Sequence, residues 1–267
     1  MSFRLCKNDD MVSILRDAFK ANIVRVPKKN IQPLTVLSKK GNKLKRLGQL
    51  GDLLEGNPSW DIPVQEEPGT NVAGNKSSAV DVSFGVQILD GYLKAFGLEG
   101  MGFKEAFQSA KEVSFSFGEV LERYVDLLAM GGQLAGTTVQ KNNLIITPII
   151  KDPEAELLLV DSVLASKQFQ VQAEKMMGNE TELELGPLKE VVQLEDTKVA
   201  IKKDRGRQIG FTGEHYLTFA FSCVRLHIDP TTFAIQALQA DDRALVLEST
   251  TAARVLVEEE PEMLDIE

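Results

Sequence analysis

The sequence predicts an α+β fold with a twisted, largely antiparallel central sheet and surrounding helices. Two observations lead to this prediction. Several stretches alternate apolar and polar side chains, which is the period of a half-buried strand, and turn residues separate these stretches. Helical spacing of apolar residues is confined to a few segments between them. With 43% hydrophobic residues among 267, the chain is long and apolar enough to bury a full core.

The first part of the chain is predicted to form one helix and short strands. Asp9 or Asp10 is placed to cap the helix, in which Val12, Leu15 and Phe19 recur on one face. The predicted elements here are a helix over 11–20, strands at 23–26 and 33–37, a glycine-interrupted segment at 43–54 that fits a helix or a strand, and a loop over 56–78.

The remainder of the chain is predicted to be mostly extended. Phe169 and Val171 alternate with glutamines in the longest of these stretches, and a second stretch alternates phenylalanine with serine. The predicted strands are 80–88, 113–117, 144–150, 156–176, 191–201 and 211–228, and the predicted helices are 119–130, closed by Gly131 and Gly132, and 231–239, with a Gly-rich and partly helical insert at 95–110.

Charge is distributed unevenly along the chain. Residues 1–50 carry twelve basic and three acidic side chains, a net +9, whereas residues 241–267 carry nine acids and two arginines, a net −7. A basic surface attracts anionic lipid, and an acidic tail of the same chain is able to mask it; two unrelated solvated surfaces are the alternative. The residues expected to face lipid are Lys39, Lys40, Lys43, Lys45 and Arg46. Because no aromatic residues are interleaved among them, nucleic-acid binding is not expected.

The two cysteines, Cys6 and Cys223, are too few for a disulfide framework, so a reducing, intracellular compartment is expected. No secretory signal and no membrane-spanning helix are visible in the sequence. Cys6 is flanked by Phe3, Leu5 and basic residues. Its local sequence is consistent with two alternatives, a buried free thiol or a lipid attachment point, and does not decide between them.

Sequence motifs for catalysis are absent. The chain has no phosphate-binding loop, no nucleophile elbow, no zinc-protease motif and no dinucleotide fingerprint. Cys223 and His227 are four residues apart on a predicted strand, so their Cα atoms are about 13 Å apart, too far to share one ion. His215 would reach them only through the fold. We therefore expect neither an enzyme nor a metal site, although active sites assembled across a fold escape such motifs.

The order of these elements resembles that of the gasdermin pore-forming family along nearly the whole chain. The resemblance rests on the opening helix and strands, on a long strand and on a later strand pair. The segments concerned are 14–19 (ILRDAF), 22–26 (NIVRV), 31–37 (IQPLTVL), 157–164 (LLLVDSVL) with 168–172 (QFQVQ), and 197–203 (TKVAIKK) with 217–226 (LTFAFSCVRL). Animal gasdermins continue into a large helical inhibitory domain, whereas only a few dozen residues follow Pro230 here. The bacterial form of the family is therefore the closer match.

The resemblance implies a pore-forming domain at 1–244 and a C-terminal autoinhibitory peptide at 245–267. In such proteins an associated protease removes the peptide, and the freed domain oligomerises into a large β-barrel pore in the cell's own inner membrane. Cell death follows, which implies a role in antiphage defence. The expected partners are the protease, anionic lipids and further copies of the chain, which at rest is expected to be a cytoplasmic monomer.

The resemblance also assigns roles to residues. Cys6 occupies the position of an acylated cysteine, so a covalent palmitoyl group is expected there. The candidate cleavage sites are Arg243, Leu245, Leu247 and Arg254, and the residues expected to dock the tail are Val246, Leu247, Val255, Leu256 and Val257. The residues expected on membrane-inserting strands are Val82, Phe84, Val86, Ile88, Val113, Phe115, Phe117, Phe169 and Val171. The alternative is a non-enzymatic soluble binding or scaffold protein whose acidic tail recruits a partner.

Overall fold

The computed structural model describes residues 22–28, 30–40, 43–56, 62–69, 93–95, 112–174, 191–194, 197–204 and 208–240. Long strands dominate this part of the chain. The strands are β1 (Asn22–Lys28), β2 (Thr35–Lys40), β3 (Lys43–Gln49), β4 (Gln65–Pro68), β5 (Glu112–Tyr124), β6 (Ala155–Glu174), β7 (Val191–Leu194), β8 (Thr197–Asp204), β9 (Gln208–Ile228) and β10 (Ile235–Ala240). The helices are α1 (Leu50–Leu53), α2 (Leu127–Leu134) and α3 (Ile146–Lys151).

Two long antiparallel strands, β6 and β9, form the spine of a single sheet. One edge of β6 pairs with β9. Along the opposite edge, residues 155–159 pair with β2 and residues 162–174 pair with β5, so these two strands lie end to end. On the outer edge of β9, β8, β1 and β10 pair in succession. All of these pairings are antiparallel, as the alternating sequence predicted, and the α+β fold class is confirmed.

The core lies on both faces of the spine. Leu157 and Leu159 of β6 belong to a cluster that includes helix residues such as Met130 and Ile146. Leu158 and Val160 belong to a second cluster on the opposite face. Successive side chains of a strand point to opposite faces, so the unbroken apolar run of β6 matches a strand that is covered on both sides.

The helix predicted over 119–130 is wrong in its first half and at its end, because the helix continues through Gly131 and Gly132 to Leu134. β5 continues to Tyr124, because residues 120–124 find partners along β6, including Val120 with Ser166 and Tyr124 with Ser162. Strand pairing here overrides helical spacing. The helix α2 begins only after Asp126, whose side chain accepts hydrogen bonds from the backbone N–H groups of Leu128 and Ala129.

Two further predictions are wrong. Residues 144–150, predicted as a strand, contain helix α3, because the Asn143 side chain accepts hydrogen bonds from the backbone of Ile145 and Ile146. Residues 231–239, predicted as a helix, contain strand β10, in which Leu238 pairs with Leu226 of β9. A turn built on Asp229 precedes it.

Among the other strand predictions within the described residues, the segment 191–201 divides into the two paired strands β7 and β8, and the rest are confirmed. The ambiguous segment 43–54 divides into strand β3 and helix α1, and the predicted loop 56–78 contains strand β4. The predicted helix 11–20, the predicted strand 80–88 and nearly all of the insert 95–110 lie outside the described residues. In the part of the chain that the structure describes, no helix is long and apolar enough to cross a membrane.

Candidate functional site

Four adjacent strand segments form a ribbon that is apolar on one face and polar on the other along β5, β6 and β9, while the apolar face of the fourth, β8, carries Ile201 and Lys203. The segments are 112–118 of β5, 168–174 of β6, 208–213 of β9 and 199–204 of β8, and we call them the amphipathic ribbon. One row across the four strands consists of Phe117, Phe169, Phe211 and Ile201, and the next row consists of Ser116, Gln170, Gly210 and Lys202. Because adjacent rows lie on opposite faces, the sequence alternation becomes a two-sided sheet.

The apolar side chains of the amphipathic ribbon whose exposure is described are buried. The side chains of Phe117, Phe169, Val171 and Phe211 are at most 3% exposed. The three phenylalanine rings form a chain along their row, with centroids 6.0 Å apart between Phe117 and Phe169 and 5.8 Å apart between Phe169 and Phe211. Aromatic pairs at such distances contribute beyond their buried area. The face expected from the sequence to meet lipid is therefore inside the protein in this state.

The opposite face is polar and hydrogen-bonded. Gln170 is exposed, and its side-chain oxygen accepts a hydrogen bond from the Ser116 hydroxyl at 3.4 Å. The amide of Gln168 donates to Glu119 at 2.6 Å. Such a face is compatible with water on one side of a sheet whose other side is apolar.

The remaining strand residues predicted to insert are placed only in part. The backbone register pairs Val113 with Ala173 and Phe115 with Val171, which puts both on β5 of the amphipathic ribbon. The predicted residues Val82, Phe84, Val86 and Ile88 lie outside the described residues.

The predicted lipid-facing basic residues lie on the hairpin of β2 and β3, which we call the basic hairpin. The residues are Lys39 and Lys40 on β2 and Lys43, Lys45 and Arg46 on β3. Carboxylates contact the first two. The ammonium of Lys40 lies 2.7 Å from Asp152 and 3.5 Å from Glu154, and that of Lys39 lies 3.8 Å from Glu156.

The contact between Lys40 and Asp152 shifts the pKa of both residues. The hydrogen bond to Asp152 raises the pKa of Lys40, and the same bond lowers the pKa of Asp152. On β3, Lys45 is exposed, and the guanidinium of Arg46 donates to the backbone oxygen of Asn30 at 3.1 Å. The hairpin therefore presents a mixture of paired and exposed cationic groups.

Asp161 is a partly buried carboxylate that the sequence analysis missed. It lies where β6 changes partner from β2 to β5, at an irregularity in the pairing with β9. One carboxylate oxygen accepts a hydrogen bond from Ser222 at 2.9 Å, and the other is buried without a hydrogen-bond partner among the described residues. Burial raises the pKa of Asp161, and the Ser222 bond opposes that shift. The available signal was one aspartate within the run LLLVDSVL.

Tyr216, which the sequence analysis also missed, lies just beyond the end of the amphipathic ribbon. The pairing of β6 with β9 shifts between Ser166 and Gln168, so the β9 residues 213–216 form an irregularity opposite Lys167. There the ammonium of Lys167 lies 4.6 Å from the centroid of the Tyr216 ring, and the guanidinium carbon of Arg123 lies 5.7 Å from it. Both distances fit cation–π contacts.

The cysteine and histidine residues do not converge in the described structure. Cys223 is buried opposite Val160, whereas His227 contacts the side-chain oxygen of Gln239 at 2.8 Å. Among the described residues, no group of three or more His, Cys, Asp or Glu side chains is arranged to hold a metal ion.

The predicted acylation site and tail lie outside the described residues. These positions are Cys6, the candidate cleavage sites Arg243, Leu245, Leu247 and Arg254, and the docking residues Val246, Leu247, Val255, Leu256 and Val257. Their assigned roles remain predictions.

Comparison with known proteins gives one consistent result. Residues 24–239 match the model of the Bacterial Gasdermin Family. The chain is 28% identical over 249 residues to gasdermin bGSDM of Vitiosangium sp., covering 92% of this chain and 91% of that protein. It is 26% identical over 266 residues to gasdermin bGSDM of Lysobacter enzymogenes, covering 98% and 96%.

The fold gives the same answer as the sequence comparison. The structure of a bacterial gasdermin from Bradyrhizobium tropiciagri matches with a TM-score of 0.57 at 14% identity, covering 87% of this chain and 92% of the other. The similarity in sequence and in fold therefore extends over most of each chain.

Proposed function

Because this chain belongs to the bacterial gasdermin family of pore-forming cell-death proteins, we propose that residues 245–267 hold it inactive until a protease removes them. The released domain, residues 1–244, then oligomerises with further copies of the chain. Strands of neighbouring copies join into a large β-barrel pore in the inner membrane. No enzymatic step is part of this function.

The observation that carries the proposal is the amphipathic ribbon. A strand in a transmembrane barrel needs one apolar face toward lipid and one polar face toward the lumen, over about 9–11 residues. The row of Phe117, Phe169 and Phe211 supplies the first face, and the row of Ser116 and Gln170 supplies part of the second. The ribbon occupies seven residues of β6 and six of β9, and these strands continue beyond it to total lengths of 20 and 21 residues.

The resting state needs a restraint, because the apolar face of the amphipathic ribbon is buried within the protein. Insertion exchanges this burial for lipid contact. We place the restraint in the tail, where nine acids oppose the basic first fifty residues and where Val246, Leu247, Val255, Leu256 and Val257 supply apolar contacts. Cleavage between Asp241 and Arg254 separates Val255, Leu256, Val257 and at least six of the nine acids from the domain.

Acylation of Cys6 is the second element of the proposal. A palmitoyl chain adds about 0.8 kcal/mol for each buried methylene, which is enough for one chain to stabilise a particular resting conformation. We propose that this chain is buried within the resting protein and is not a permanent membrane anchor. In this scheme the monomer is cytoplasmic at rest and reaches the anionic inner membrane after cleavage. The resulting cell death limits phage replication.

Cleavage inside living bacteria tests the proposal. The full chain is expressed with a site-specific protease sequence replacing residues around Leu247, and the matching protease is induced separately. We expect the cut protein to move from the soluble to the membrane fraction as an oligomer while growth stops. An identical chain with a scrambled protease sequence serves as the control. A cut protein that stays soluble and monomeric contradicts the proposal.

A further inference from the structure

A long surface segment of this acidic protein contains no acidic residue. The whole chain has 39 Asp and Glu residues among 267, yet none lies between Asp126 and Asp152, where the charged residues are Lys141 and Lys151. The same segment contains most of the large hydrophobic side chains that are strongly exposed in the described structure. They are Leu127 (41%), Leu128 (89%), Leu144 (91%) and Ile145 (63%), with Val64 (44%) outside the segment.

Leu144 and Ile145 stand on a turn held by side-chain hydrogen bonds, which we call the apolar turn. The Asn143 side chain accepts bonds from the backbone N–H groups of Ile145 at 3.0 Å and of Ile146 at 3.2 Å. The hydroxyl of Thr147 donates to the backbone oxygen of Lys141 at 2.9 Å, closing the turn. Ile146 is 2% exposed and anchors it in the core. The two exposed side chains are thus presented by a fixed support.

The apolar turn is connected to the basic hairpin through helix α3. Asp152 follows the last residue of α3 and binds Lys40 at the end of β2. A helix of six residues is about 9 Å long, so the apolar turn and the basic hairpin lie near each other. One carboxylate contacts the segment between Asp126 and Asp152: Glu55 accepts a hydrogen bond from the Thr138 hydroxyl. Thr138 lies six residues before Leu144.

We propose that the apolar turn, with Lys141 and Lys151, is a docking surface for an anionic lipid bilayer. The inference rests on the proposed pore-forming function and adds the place where the globular part meets the membrane. Leu144 and Ile145 enter the boundary between headgroups and acyl chains, while the lysines contact lipid phosphates. The 91% exposure of Leu144 favours a bilayer over a protein partner, since a projecting side chain needs no matching pocket in lipid.

Tryptophan fluorescence tests the contact directly. Trp60 is the only tryptophan, so Leu144→Trp in a Trp60→Phe background gives a single reporter in the full chain with its engineered protease site. After cutting beside anionic vesicles, we expect blue-shifted emission that is quenched by lipids brominated near the headgroup. A reporter that is not quenched although the protein is bound overturns the inference. A blue shift on cutting without vesicles also overturns it, because another copy of the chain then covers the turn.

Removal of the apolar side chains gives the quantitative test. We expect Leu144→Ser with Ile145→Ser to weaken vesicle binding of the cut protein roughly tenfold or more, given the area that two such side chains bury. Val64→Ser, an exposed apolar residue outside the segment, is the matched control and is expected to bind as the parent does. Equal binding by the double variant and the parent overturns the docking surface while leaving pore formation intact. A parent that releases no dye after cutting contradicts the proposed function itself.

Discussion

The ring of Phe117 on β5 lies flat against the ring of Phe219 on β9, with centroids 4.1 Å apart and planes 2° from parallel. Strand β6 pairs with both β5 and β9, so this contact bridges three strands. It holds one end of the apolar row of the amphipathic ribbon inside the protein. The face that we propose to meet lipid is thus part of the resting core.

Replacement of Phe219 by alanine is expected to destabilise the resting protein. The ring is 1% exposed, and truncation of a buried phenylalanine costs about 3–5 kcal/mol of unfolding free energy. Urea denaturation followed by circular dichroism measures the loss. Phe219→Leu keeps most of the volume and is expected to cost clearly less. Equal stability of Phe219→Ala and the parent would show that the stack contributes little.

Asp161→Asn is expected to stabilise the protein at neutral pH by about 1 kcal/mol, because the amide avoids a buried charge with an unpaired oxygen. The raised pKa of Asp161 means that the folded state binds this proton more tightly than the unfolded state. Its contribution to stability therefore falls as the pH rises from the ordinary value of 3.8 through the folded pKa. Thermal melts of both proteins between pH 4 and 8 check this. The difference should shrink toward low pH, and a variant that is less stable throughout would contradict it.

Glu122→Gln is expected to raise stability slightly at neutral pH. Glu122 of β5 lies directly opposite Glu67 of β4, and burial followed by the Glu67 charge raises the pKa of Glu122. Removal of a like-charge pair across two strands is worth about 0.5 kcal/mol. The gain should fade in melts as the pH falls through the raised pKa of Glu122 toward its ordinary value of 4.5, because the Glu122 carboxyl is then protonated and uncharged. A gain that is independent of pH would point to another cause.

Asp152→Asn is expected to strengthen binding of the cut protein to anionic vesicles. The substitution removes the carboxylate that lies 2.7 Å from Lys40 and leaves that cation available to lipid. One basic group near an anionic membrane is worth about 1 kcal/mol, so sedimentation with vesicles should show at most about a fivefold gain. Glu154→Gln, at 3.5 Å, should give a smaller gain. Both gains should disappear at high salt, and unchanged binding at low salt would exclude Lys40 from lipid contact.

Cys6 is expected to carry a fatty acyl thioester in protein purified from its native host. Intact mass spectrometry should show the added mass, and hydroxylamine should remove it. Cys6→Ser should lack it, whereas Cys223→Ser should retain it, because Cys223 is buried. A native sample with only unmodified Cys6 would remove acylation from the scheme.

The fold class and the long strands were predictable, because alternation and the apolar run of β6 depend on residues that are near in sequence. The short elements were not. The helix within residues 144–150 depends on the Asn143 side chain, which accepts hydrogen bonds from the backbone of Ile145 and Ile146, and β10 depends on pairing with β9. The candidate site was likewise predictable only in part. The alternation identified Phe117, Phe169 and Val171. The environment of Asp161 was not predictable, because it depends on Ser222, 61 residues away, and on a strand irregularity that no local pattern encodes.

Dye release from liposomes tests the central claim most directly. The full chain with an engineered protease site near Leu247 is mixed with dye-loaded anionic liposomes, and the matching protease is then added. We predict no release before cutting and rapid release afterwards, with none from the scrambled-site control. Moving the site through each candidate position from Arg243 to Arg254 locates the bond that must be broken. Release after cutting that never exceeds that of the intact chain, at any of these positions, would contradict the account.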